Sequence, residues 1–146
     1  MATESAEAVL RHWFDDVWTG GRSDLIETYL APGAIAHGLD ETGEGCVGPA
    51  GFRPFFEKLR GACPDIRFAV DDVVASGPMA ACRWTADLTH TGDHLGVPAT
   101  GRALRLTGMT IARVEDGRIV EGWNEWDRLA FATALGLVVP ASAAAG

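Results

Sequence analysis

The hydrophobic pattern of this chain changes period once, near Pro64, and that change divides helices from strands. Before it, apolar residues return every three or four positions; after it, they alternate. Residues 5–19 set Ala8, Val9, His12, Trp13, Asp16 and Val17 at helical spacing, and the glycines at 20 and 21 stop the helix. Ser23 can accept from a free backbone N–H and so start a short second helix to Leu30, which Pro32 and Gly33 end. Residues 34–37 read as a short strand and 38–48 as a glycine-rich loop. Pro49 suits the first turn of a third helix carrying Phe52, Phe55, Phe56 and Leu59, with Pro54 close enough to its start to be tolerated.

Beyond Pro64, Ile66, Phe68 and Val70 alternate with polar neighbours, and Val73 and Val74 lead to a turn at Ser76, Gly77 and Pro78. Residues 79–90 set Ala80, Cys82, Trp84, Ala86 and Leu88 against Arg83, Thr85, Asp87 and Thr89, as in an antiparallel strand with two unlike faces. A Gly- and Pro-rich loop over 91–101 separates it from a strand over 102–114. Asp116-Gly117 then signals a tight hairpin into 118–126. A helix over 129–136 and a loose tail over 140–146 close the chain. Helices first and an antiparallel meander afterwards mean an α+β fold, with helices packed on one face of a curved sheet. We expect one domain over 1–146, ordered over about 5–136.

The net charge of −8 argues against a nucleic-acid partner, because phosphate binding draws on clustered cations and Lys58 is the sole lysine. Apolar stretches such as 130–139 are too short to cross a bilayer, and Glu4, Glu7 and Arg11 stand where a signal peptide needs an apolar run. A soluble, cytoplasmic protein is expected. Cys46, Cys63 and Cys82 have no paired spacing, so they read as buried free thiols rather than disulfides or metal ligands. His90 and His94, with Asp93 between them, lie in a predicted loop where no helix aligns them for a metal; they read as solvated histidines. No GxSxG, HExxH, phosphate loop or acidic metal box occurs, so no cofactor and no metal are expected.

Several segments fall in a recognisable order: His37 at the end of the first short strand, Gly48-Pro-Ala-Gly-Phe52, Pro64-Asp-Ile-Arg-Phe68, Gly96-Val-Pro-Ala-Thr-Gly101, and Asp116-Gly-Arg-Ile-Val-Glu-Gly-Trp-Asn-Glu-Trp-Asp127. Together they resemble the SnoaL-like polyketide cyclases of the nuclear transport factor 2-like superfamily, from about residue 5 to Gly136. The resemblance implies a cone-shaped α+β barrel with a strongly curved sheet wrapped by helices around a pocket, usually in a homodimer. It also implies cofactor-free, intramolecular aldol-type ring closure on a small hydrophobic, aromatic polyketide-like substrate. Asp127 would then hold the position of the acid–base aspartate, with His37 as a second polar group.

Local chemistry offers Asp127 a simpler role as the N-cap of the last helix. The resemblance sets proton transfer ahead of it. His37 can likewise be a satisfied rim residue or a donor to a substrate carbonyl. Asn124 and Arg105 are candidates to orient a ligand, and Phe52, Phe56, Trp84, Met109 and Trp123 to line an aromatic-binding pocket alongside Phe55. Two other functions stay open. One is an epoxide hydrolase-like water site from Arg105 or Arg113 with Glu125 or Asp87; the other is a non-catalytic ligand-binding dimer module.

Overall fold

The computed structural model describes residues 4–39, 45–139 and 141. Helix α1 (Ala6–His12) starts at Ser5, whose hydroxyl accepts the Ala8 N–H at 3.1 Å, and continues directly into a π-helical stretch, Trp13–Thr19. The sequence accounts for that change of winding. The buried residues form two rows at a strict spacing of four, Val9, Trp13, Val17 and Leu10, Phe14, Trp18. On a pure α-helix such rows drift by about 40° per step, since each residue turns it by about 100°. The wider π turn cancels the drift and keeps both rows on the core. His12 and Asp16, which spacing placed in the apolar stripe, instead face outward and pair with each other at 3.1 Å.

A 3₁₀ turn (Ser23–Leu25) and α2 (Ile26–Tyr29) lead into β1 (Leu30–His37). This strand starts earlier than the expected residue 34. Pro32 and Gly33 lie inside a register shift between Leu30 and Ile35, where a missing ladder N–H costs little. Cys46–Val47, expected as loop, form a short strand β2 on β1. Then follow α3 (Gly48–Ala62), β3 (Arg67–Ser76), β4 (Met79–Thr89), β5 (Ala103–Glu115), β6 (Arg118–Trp126) and α4 (Arg128–Ala134). Asp116 and Gly117 take φ of 51° and 75°, the paired positive values of the tight turn that the dipeptide announced.

The strand order is β2-β1-β6-β5-β4-β3, antiparallel except for β1 on β6. The sheet is curved and unclosed, and the fold is the expected α+β cone. Along β4 and β5 the even-numbered residues are buried, from Ala80 to Leu88 and from Leu106 to Val114, while odd-numbered ones face outward. Helix α1, its π extension and α3 cover that inner face and share one apolar core with it.

Candidate functional site

Between the helices and the inner face of the sheet lies an apolar cavity of about 70 Å³. Its walls are largely aromatic. Trp13 packs on Phe52 at 4.9 Å between ring centres, Trp18 on Phe68 at 5.4 Å, and Phe68 on Trp84 at 5.0 Å. An apolar cavity of about 150 Å³ admits benzene, so a multi-ring ligand must extend beyond this one or displace its side chains. Trp126, whose indole N–H donates to the Gly38 carbonyl at 3.1 Å, forms part of the wall with Leu39.

One patch of the wall is polar. Trp84 Nε1–H donates to Thr110 Oγ1 at 3.1 Å, the Thr110 hydroxyl donates to Asn124 Oδ1 at 2.8 Å, and Asn124 Nδ2 donates to the His37 carbonyl at 2.9 Å. Thr110 is only 5% exposed. Among the described residues that line the cavity, none is ionisable.

Three of the expected pocket residues, Phe52, Trp84 and Asn124, line the cavity, as does Phe55. Phe56 is buried behind it against Trp18 and Phe52. Arg105, Met109 and Trp123 do not line it, because strand alternation sends them through the sheet to its outer face. Arg105 there pairs with Asp87 at 2.8 Å, and Met109 is 59% exposed. Arg113 and Glu125 occupy outer-face positions of β5 and β6 as well, so the water site considered for hydrolysis is not assembled in the cavity.

His37 also faces outward, at a register position opposite Trp123. Its ring stacks on Trp123 at 5.7 Å, and Nε2 lies 2.7 Å from Glu121 Oε2. Only its backbone carbonyl serves the pocket wall, through Asn124. The two residues expected to work as an acid–base pair are thus not brought together: Asp127 is exposed one residue past Trp126, and its Oδ1 accepts the Ala130 N–H at 3.0 Å as the N-cap of α4.

His90 overturns its reading as a solvated loop histidine. It is fully buried, with Nδ1 accepting the Thr100 N–H at 3.2 Å, so it pins the end of the 91–101 segment back onto β4. His94 is exposed over Gly61. Among the described residues no group of three His, Cys, Asp or Glu side chains is placed to hold a metal, and no helix is long and apolar enough to cross a membrane.

Thr110, Trp13, Trp18, Phe68 and Trp126 are pocket residues that sequence reasoning did not single out. Thr110 was accessible in principle, since the alternation that places Trp84 inward runs across the β4–β5 ladder to it.

These features define an α+β cone whose helices and sheet enclose a small apolar cavity. The sequence profile of the SnoaL-like polyketide cyclases matches residues 8–135, and the chain belongs to that family. Wild-type IdmH from Streptomyces antibioticus is 28% identical over 91% of this chain and 99% of its own, with a TM-score of 0.77. TsrD from Streptomyces laurentii is 24% identical over 94% and 99%, TM-score 0.77; a SnoaL-like polyketide cyclase from Agrobacterium tumefaciens is 20% identical over 92% and 100%, TM-score 0.73. The last two share the fold. Among curated proteins none matches the sequence significantly.

Proposed function

We propose that this protein acts on a small, hydrophobic, polyketide-like molecule held in the aromatic cavity and promotes its ring closure by proton transfer without a cofactor. The observation that carries this reading is the cavity itself, aromatic on most sides and polar only at Thr110 and Asn124. A folded polyketide chain packs its carbons against such walls while a carbonyl meets the polar patch. In an aldol closure a base removes a proton from carbon next to one carbonyl, the resulting carbanion attacks a second carbonyl carbon, and its oxygen takes up a proton. Asp127 is assigned the proton transfers: it follows the wall residue Trp126, is exposed, and has Oδ2 without a partner among the described residues. Asp127→Asn keeps an N-cap oxygen and loses the base. Turnover of a linear poly-β-ketone, followed by mass spectrometry and ultraviolet absorbance, should fall at least about 100-fold while the unfolding midpoint holds. Undiminished turnover in this variant would remove Asp127 from the mechanism.

One observation favours a second reading, binding without conversion: the described lining carries no ionisable group, and Asp127 Oδ1 is engaged as the cap of α4. Ligand recovered unchanged after prolonged incubation with stoichiometric protein would decide for it.

A further inference from the structure

We infer that Asn124 is a fixed hydrogen-bond donor, set in one amide orientation by the His37 carbonyl and anchored there by Thr110 and Trp84, so that the cavity selects neutral molecules presenting a carbonyl oxygen at that point. This rests on the cavity being a ligand site, as proposed above. The orientation follows from the two ends of the network. A tryptophan indole only donates, so its N–H at 3.1 Å makes Thr110 Oγ1 an acceptor and leaves the hydroxyl hydrogen for Asn124 Oδ1 at 2.8 Å. At the other end the His37 carbonyl only accepts, and it lies 2.9 Å from Asn124 Nδ2. Turning the amide over would set two oxygens against each other at His37. The His37 carbonyl therefore fixes the orientation, and the Thr110 hydroxyl, with its hydrogen free, anchors the amide oxygen in it.

That arrangement uses one of the two Nδ2 hydrogens. The other has no acceptor among the described residues, on a side chain that belongs to the cavity wall. Nearby, Gly38 is pressed against the Asn124 backbone so closely that a Cβ would come 2.0 Å from its carbonyl oxygen, which leaves β6 little room to shift. A donor left unpaired in apolar surroundings is costly, and a ligand oxygen that meets it recovers the cost. With no ionisable group lining the described wall, a ligand charge would go unpaired, so uncharged carbonyl compounds fit best. Asn124 touches the ligand; Trp84 and Thr110 are positioning residues.

The test compares two bicyclic probes that differ by one carbonyl, 1-tetralone and tetralin, binding being read from tryptophan fluorescence and, for 1-tetralone, from its infrared carbonyl band. Wild type should bind 1-tetralone about five- to tenfold more tightly, as one neutral hydrogen bond warrants. In Asn124→Leu the two affinities should converge, tetralin binding should persist, and the bound carbonyl band should move to higher wavenumber. Thr110→Val should reduce the preference by freeing the amide, and Thr110→Ser should restore it, which a purely packing role for Thr110 would not produce. Equal binding of both probes by wild type, or an unchanged preference in Asn124→Leu and Thr110→Val, would overturn the inference while leaving the cavity a ligand site. Failure of wild type to bind either probe would overturn both.

Discussion

The Trp84 ring lies over Gly108 of the adjacent strand so closely that a Cβ at residue 108 would come 2.2 Å from the indole. The ring cannot easily retreat, because Phe68 at 5.0 Å and Phe14 at 6.1 Å pack against it and Thr110 holds its N–H. Gly108→Ala should therefore push the indole off its site, break the bond to Thr110 and cost about 1–3 kcal/mol of stability. Urea unfolding and the tryptophan emission spectrum would measure both effects. Wild-type stability with unchanged emission would mean that the wall yields more freely than its packing indicates.

Asp127 also has a structural role that can be separated from proton transfer. Its carboxylate satisfies the Ala130 N–H at the start of α4, and Phe131 of that helix packs on the wall residue Trp126 at 5.5 Å. Asp127→Ala should lower stability by about 0.5–2 kcal/mol, whereas Asp127→Ser and Asp127→Asn should recover most of it. Thermal unfolding of the three variants would check this order. If all three match wild type, the cap contributes nothing measurable.

Much of the architecture was legible because long, two-faced strands and a DG turn leave few alternatives. The face of each residue on β6 was not. Val114 pairs with Ile119, and unbroken alternation from there would place Trp123 inside and Asn124 outside. A register shift between Arg113 and Val114 leaves Val120 without an opposite partner, and every later residue of β6 changes face. Asn124 and Trp126 thereby enter the cavity wall, while Glu121 and Trp123 go to the outer face. His37 follows them outward, since β1 takes its register from β6. Nothing in the residue types of 118–126 announces that inserted residue. The π stretch was hidden similarly, because spacings of three and four fit an ordinary helix until burial shows two strict rows.

The outer face carries Met109 at 59% and Ile111 at 44% exposure, next to the half-buried Trp123 and flanked by the Arg105–Asp87 pair. We propose that the homodimer implied by the family resemblance forms through this face, because exposed apolar side chains beside a charged pair suit a self-associating sheet face. Ile111→Glu should shift the protein from dimer to monomer in light scattering after size exclusion, with the far-ultraviolet circular dichroism preserved. A wild-type protein that runs as a monomer at micromolar concentration would refute the assignment.

Cys63 and Cys82 supply a pH dependence whose direction follows from burial. Removal from water raises both thiols from an ordinary value of 9.0 to about 11; the Asp65 charge adds to the effect at Cys63, and the Thr110 backbone partly offsets it at Cys82. Below pH 9 the thiols are protonated in both folded and unfolded chains and do not affect the balance. Between about pH 9 and 11 the unfolded chain releases protons that the folded chain keeps, so stability should fall as pH rises through that window. Replacing both cysteines with alanine or serine should flatten this part of the curve, measured by urea unfolding at fixed ionic strength. At pH 8 the same burial should leave both native thiols nearly inert to a disulfide reagent, with labelling completed at once on adding guanidinium. Fast native labelling of either thiol at pH 8 would contradict the burial on which the argument depends.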